Sequence, residues 1–315
     1  MKKPSIAIVG AGNIADNYIK IIKKEKIFNI LAITSRTKKK ATKLALKYNI
    51  KNIYDSTPQM IADHELEGII ILVSADQIFL VTKKLLKYKI PLFIEKPPGL
   101  NLNETKILSK LAKKYKTLNM VCLNRRFYSI FKKGIDIIKK KGKILGVKIE
   151  GHERFWKVNK KFNKKIIKSW LYANSIHTID LLRFFGGEVH DCINFSNSIK
   201  QKKGDQFCAA FKFKNKSIGS YTSHWFSPGG WSVKLFGEGV TVVFDPLEKG
   251  YSIDKNFKKK LIYCDKYDQK YKPGLYRQIM SFKNLIKDKK ILYPAQDLSN
   301  SIKSMNIVHN LSKSK

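Results

Sequence analysis

Over its first 125 residues the chain alternates short, wholly apolar runs with longer stretches whose apolar positions recur at helical spacing. The short runs Ser5–Val9, Ile30–Thr34, Ile69–Val73, Leu92–Glu95 and Leu118–Leu123 predict strands. They are continuously apolar rather than alternating, as expected for a parallel sheet buried on both faces. Between them, Asn13–Lys24, Lys38–Tyr48, Gln77–Tyr88 and Asn103–Tyr115 predict amphipathic helices. Strand–helix alternation of this kind predicts an α/β domain with a doubly wound parallel sheet.

After residue 125 the rhythm changes. A helix at Ser129–Lys141, a strand at Ile144–Glu153 and a helix at Ser175–Phe185 lead into a strand-rich stretch from Val189 to about Tyr263. Its strands, Phe207–Phe213, Ile218–Phe226, Trp231–Phe236 and Val240–Phe244, are separated by Gly, Pro and Asn signals. Helical patterns return at Leu275–Lys287 and Asp297–Leu311. This part predicts an α+β domain with a mainly antiparallel open sheet. The expected division is 1–123 and 124–315. Both faces of Phe207–Phe213 are apolar, which calls for helices on one face and leaves the other for a second subunit, so a homo-oligomer through this sheet is expected.

Composition narrows the function classes. Hydrophobic residues make up 43% of the 315 and no apolar run reaches membrane-spanning length, so a folded chain without a membrane partner is expected. The Ser5–Val9 run is too short and too soon broken by glycine for a secretion signal, and no targeting segment is expected. Cys122, Cys192, Cys208 and Cys264 are scattered and fit a reduced, cytoplasmic protein. The formal charge of +39 suggests nucleic acid, but only six of the 63 basic residues are arginine, the residue best suited to fork onto phosphate and guanine. Lysines come in clusters along the whole length, so specific nucleic-acid binding is not expected; a positive field favouring acidic or phosphorylated substrates remains. No histidine or cysteine spacing suits a metal.

The chemistry begins at Gly10-Ala11-Gly12-Asn13-Ile14-Ala15, between the first strand and the first helix. Gly10 permits a tight turn, Gly12 lets the backbone approach a pyrophosphate, and Ala15 permits close packing of helix on strand. The helix start supplies N–H groups and a positive dipole. In this setting the motif predicts a dinucleotide-binding Rossmann domain, with Gly10, Ala11, Gly12, Asn13 and Ile14 at the cofactor. At the end of the second strand, where an acidic residue would hold the ribose diol of NAD, stands Thr34-Ser35-Arg36-Thr37. Ser35 and Arg36 suit a 2′-phosphate, so NADP(H) is the preferred cofactor and NAD(H) the other candidate. Glu95-Lys96-Pro97-Pro98-Gly99 ends the fifth strand, the edge at which open α/β sheets bind ligands.

Gly-x-Gly-x-x-Ala near the start, Glu-Lys-Pro at residues 95–97 and a later His177-Thr178-Ile179-Asp180 together resemble the glucose–fructose oxidoreductase and inositol dehydrogenase (Gfo/Idh/MocA) family across nearly the whole chain. The resemblance implies hydride transfer between a nicotinamide and a carbon of a sugar, polyol or nucleotide-sugar. It places Lys96, with Glu95 before it, beside the nicotinamide as proton donor or acceptor, and gives His177 a share in that proton. It also brings in Asn124-Arg125-Arg126-Phe127 as a cleft-lining segment. Either arginine can face inward, with Arg126 preferred for the substrate. Asn174 is expected to hold a sugar hydroxyl, and Asp180 to position its helix.

Three departures bear on the chemistry. Ala173 stands where the family often has an aspartate, Ser175 where it has a glycine, and Phe79 where it tends toward a histidine. Ser74 can still contact cofactor. Two rival readings follow: a ketosugar reductase serving surface-polysaccharide or nucleotide-sugar synthesis, and a catalytically silent dinucleotide-binding regulator or scaffold of the same fold.

Overall fold

The computed structural model describes residues 3–158 and 162–313. The chain forms two units, one of residues 1–124 with 274–302, the other of residues 125–273 with 303–315. The cut expected at 123/124 falls beside the 124/125 boundary, but residues 274–302 return to the first unit before the chain ends in the second at 303–315. The reason is visible in the packing of that returning segment, whose Phe282 lies against Phe28 and Phe93, with ring centroids 6.0 and 5.3 Å apart.

In the first unit, β1 (Ser5–Val9), β2 (Asn29–Thr34), β3 (Asn52–Tyr54), β4 (Gly68–Ile71), β5 (Leu92–Glu95) and β6 (Asn119–Cys122) form one parallel sheet in the order β3-β2-β1-β4-β5-β6. The helices α1 (Asn13–Lys24), α2 (Lys38–Tyr48), α3 (Thr57–Ala62), α4 (Ala75–Leu85) and α5 (Leu102–Tyr115) connect them. Helix α1 buries Ala15, Tyr18, Ile19, Ile21 and Ile22. That spacing makes one helical stripe, and each of its large apolar side chains is worth about 1.5–3 kcal/mol when removed from water. Strand β3 and helix α3 escape periodicity because they are too short to show it; α3 is announced only by Ser56, whose side chain accepts from the Gln59 N–H.

The second unit holds α6 (Ser129–Lys139) and an eight-stranded sheet. Its strands are β7 (Ile144–Gly151), β8 (Val189–Asn197), β9 (Gln206–Phe213), β10 (Ile218–His224), β11 (Trp231–Gly237), β12 (Val240–Phe244), β13 (Gly250–Asp254) and β14 (Lys259–Ile262). The order is β14-β13-β12-β11-β7-β10-β9-β8, antiparallel throughout except where β7 meets β10. Short helices α7 (Phe155–Val158) and α8 (Lys164–Lys168) and a π-helical turn at Leu171–Ser175 precede α9 (Ile176–Gly186); α10 (Lys266–Lys270) follows the sheet, α11 (Leu275–Asp288) lies in the segment that returns to the first unit, and α12 (Leu298–Leu311) comes last.

Helix α9 is buried along its full length, polar residues included. A helix buried all round must partner its polar groups, which sets the problem the site below solves. On β9, Phe207, Ala209, Phe211 and Phe213 are buried, while Cys208 and Ala210 on the opposite face are exposed. Among the described residues no helix is long and apolar enough to cross a membrane.

Candidate active site

The first unit builds a cradle from backbone. The strand order reverses between β1, which continues toward β2 and β3, and β4, which continues toward β5 and β6; this switch point is where open α/β sheets bind ligands. Gly10 leaves β1 with φ +112°, and its N–H donates to the Thr34 carbonyl at 2.8 Å. A Cβ at Gly10 would stand 2.4 Å from the Leu72 carbonyl oxygen, so only glycine fits. Gly12 is different: a Cβ there would meet no protein atom within 4 Å. The space beside it belongs to a cleft of about 400 Å³. Gly12 caps α1 without a side-chain hydrogen bond, which leaves the helix start suited to an anion.

Gly10, Ala11, Gly12, Ile14, Ser35, Arg36 and Ser74 all line this cleft; Asn13, Glu95 and Lys96 are not among its lining residues. Ser35 also accepts from the Thr37 N–H at 3.4 Å, tying down the turn after β2. Lys40 and Asp55 line the same cleft and were missed by sequence reasoning. Lys40 lies on the exposed side of α2, where nothing local separates it from the chain's many other lysines. Asp55 is held by Lys38 at 2.7 Å in an exposed pair. Glu95 ends β5 and Lys96 follows it, both half-buried, with a cis peptide bond from Lys96 to Pro97. Beside Glu95, burial pushes the Cys122 thiol up, and the glutamate's charge adds to it.

The second unit builds with side chains. Arg126, the arginine preferred for substrate, sits in a buried bidentate pair with Asp180: Nε donates at 2.6 Å and Nη2 at 2.9 Å. Ser304 donates to the same carboxylate at 2.5 Å, and Arg183 donates to Ser304 at 2.9 Å. That network partners Asp180 and Arg183 of α9 and commits Arg126 to structure. Arg125 is the arginine that reaches the other candidate, its Nη1 standing 2.8 Å from Nε2 of His177. A guanidinium has only donors, so Nε2 accepts and the ring hydrogen belongs on Nδ1. The Arg125 guanidinium also lies 5.0 Å over the Trp231 ring, whose centroid is 6.0 Å from that of His177.

Asn174 and Ser175, on the π-helical turn before α9, converge on Glu153. Asn174 Nδ2 donates to both carboxylate oxygens, at 3.1 and 2.9 Å, and the Ser175 hydroxyl donates at 2.8 Å. Glu153 is only 4% exposed, yet it helps line a cleft of about 510 Å³ with His152, Arg154, Trp231 and Glu248. Neither Glu153 nor Trp231 was singled out from the sequence. A carboxylate closing the apolar strand pattern at 144–153 was the available signal. Burial pushes the Tyr128 hydroxyl up and keeps it protonated, so it donates to Glu248 at 3.1 Å. Burial lowers His152, whose Nδ1 accepts from the His224 N–H and whose ring stacks on that of His224 at 5.7 Å.

Comparison with known proteins agrees with this architecture. Residues 5–122 match the model of an oxidoreductase family described by its NAD-binding Rossmann fold. The uncharacterized protein YMR315W of Saccharomyces cerevisiae is 25% identical over 265 residues, covering 79% of this chain and 76% of its own. Among solved structures, a protein from Desulfitobacterium hafniense assigned as an NADPH-dependent oxidoreductase superposes with a TM-score of 0.85 at 16% identity, covering 99% of this chain and 96% of the other. UDP-N-acetylglucosamine 3-dehydrogenase from Acidithiobacillus ferrooxidans gives 0.79 at 15%, covering 99% and 97%. An oxidoreductase from Agrobacterium radiobacter, in complex with NAD+, L-tartaric acid and magnesium, gives 0.78 at 14%, covering 98% and 95%. Residues 5–122 thus resemble the Gfo/Idh/MocA oxidoreductases, and the chain as a whole has the fold of the solved structures above.

Proposed function

We propose that this protein is an NAD(P)(H)-dependent oxidoreductase acting on a CH–OH carbon of a sugar, polyol or nucleotide-sugar, with NADP(H) preferred. The observation that carries the reading is the cradle at β1 and α1, where Gly10 is demanded by the fold and Gly12 is left open toward the cleft. When bound there, the nicotinamide cofactor supplies or accepts the hydride. The helix start and the Gly12 backbone hold the pyrophosphate, and Ser74 lines the same wall. Ser35, Arg36 and Lys40 meet the adenosine ribose, and their hydroxyl and cationic groups favour a 2′-phosphate. Lys96 and His177 are proposed to handle the proton of the substrate hydroxyl. For contact with the substrate, Arg125 is the better placed of the two arginines, since Arg126 is spent on Asp180.

Arg154 and Lys157 line the cleft of the second unit together with the carboxylates of Glu153 and Glu248, so the choice between a nucleotide-sugar and a free sugar falls to an activity screen in which the two compete. The exposed sheet face bearing Ile193, Phe195, Ile218 and Leu261 is proposed to meet a second copy of the chain, which light scattering checks. Four free cysteines suit a cytoplasmic setting.

The test is thermal shift with NADPH, NADH, NADP+ and NAD+ at matched concentrations, since a ligand that binds only the folded state raises its stability. NADPH should give the largest shift, and Arg36→Glu should remove its advantage over NADH, a loss of about tenfold or more in relative affinity. No shift with any of the four defeats the reading. Binding without turnover on any sugar or nucleotide-sugar returns the protein to a silent dinucleotide binder. With a substrate in hand, Lys96→Ala should lower kcat by about 10²–10⁴. Near-normal kcat in that variant removes Lys96 from the mechanism.

A further inference from the structure

The buried carboxylate of Glu153 has a position that its local strand does not require. It stands just beyond β7, is almost wholly removed from water, and takes three hydrogen bonds from two successive residues of the π-helical turn. That turn runs directly into α9, so its last residue, Ser175, is two positions before His177. Burying a carboxylate is costly even when it is hydrogen-bonded. A neutral side chain of similar shape would tie the strand to the turn without dehydrating a charge. Glu153 also lines the cleft with Trp231, whose ring borders both His177 and Arg125.

We propose that Glu153 is a positioning residue for His177: its carboxylate grips the Asn174–Ser175 turn, fixes where the imidazole stands, and supplies the negative charge on that side of the cleft. Ala173 cannot supply it. The inference rests on reading the Asn174–His177 segment as the reactive part of the second unit. The charged groups held on this segment include Arg125 against Nε2 of His177, Glu153 on the turn that precedes it, and the Arg126–Asp180 pair one turn along α9. Arg125 opposes a second positive charge on the ring; Glu153 offsets it.

The experiment is histidine-labelled NMR of the full chain, with His177 assigned by His177→Asn and His64 of the first unit as the internal control. Glu153→Gln keeps the shape and removes the charge. The expected result is a displaced His177 resonance and a titration midpoint lowered by about half a unit or more, because losing a nearby anion disfavours the imidazolium. His64 and cofactor-induced thermal stabilisation should not change. If turnover is measurable, the acidic limb of the kcat profile should move with the NMR midpoint. A folded Glu153→Gln protein with His177 unmoved overturns the proposal and leaves Glu153 a simple tie. If that variant does not fold, Ser175→Ala removes one of the three hydrogen bonds and carries the test: a displaced His177 resonance supports it, an unmoved one overturns it. Absence of cofactor binding would defeat the proposed function, yet the NMR result would still decide whether Glu153 acts on His177.

Discussion

The two units arrange their polar groups with different materials. The first uses backbone: a glycine turn at φ +112°, a helix start without a side-chain cap, and an open space where a Cβ would be. The second uses side chains gathered from distant parts of the chain. Arg126, Asp180, Arg183 and Ser304 close one network; Glu153, Asn174 and Ser175 close another; Arg125, Trp231 and His177 make a third cluster. A backbone cradle recognises what every dinucleotide has in common. A side-chain network can be rewritten residue by residue, and that is where a family varies its substrate. The difference also predicts how each site fails: the second by losing its scaffold, the first by losing its ligand.

The largest effect should come from breaking the scaffold. Asp180→Ala leaves Arg126 buried without its carboxylate, and loss of a buried partner costs about 3–5 kcal/mol. Chemical denaturation of the purified variant measures it. A loss below about 1 kcal/mol would show that the network is not what holds α9.

Next comes a contrast between neighbouring glycines of the backbone cradle. Gly10→Ala forces a side chain onto a left-handed backbone and into the Leu72 carbonyl, and should destabilise by at least about 2 kcal/mol. Gly12→Ala meets no protein atom, so its stability should stay within about 0.5 kcal/mol of the parent. Its dinucleotide affinity should nevertheless fall by about tenfold or more, because the methyl group occupies the pyrophosphate's approach. Melting curves with and without cofactor separate the two outcomes. Equal behaviour of the two variants would erase the distinction between fold and ligand at this turn.

The smallest effect is one of pH. Burial holds His152 below its ordinary value of 6.5, with His224 and Lys148 adding to this and Glu150 opposing it. The folded state thus binds fewer protons than the unfolded chain between that lowered value and 6.5. Stability is therefore lost as pH falls through this window and is flat above it. The group is only partly buried, so solvent screening keeps the contribution well under about 1 kcal/mol. Urea denaturation at pH 7.5 and 5.5, with His152→Asn as the control, reads it. A variant with the same pH dependence as the parent would assign the effect elsewhere.

What the chain's pattern alone determined follows from local physics. Helices α1 and α2 begin and end where helical spacing places them, and the apolar runs mark the long strands of the parallel sheet, because burial on both faces demands uninterrupted hydrophobicity. The Gly10–Gly12 turn was legible for the same reason: its requirement is a backbone conformation, and a backbone conformation is written in consecutive residues. Tertiary structure alone decided that residues 274–302 return to the first unit, since nothing in an amphipathic helix names the surface it will cover. It alone separated the adjacent arginines, Arg126 committed to Asp180 and Arg125 turned to His177, because neighbours in sequence diverge according to partners more than fifty residues away. And it alone brought Glu153 to the Asn174–Ser175 turn, a contact made across some twenty residues by the ordering of β7 and the π-helical turn, which no spacing along the chain encodes.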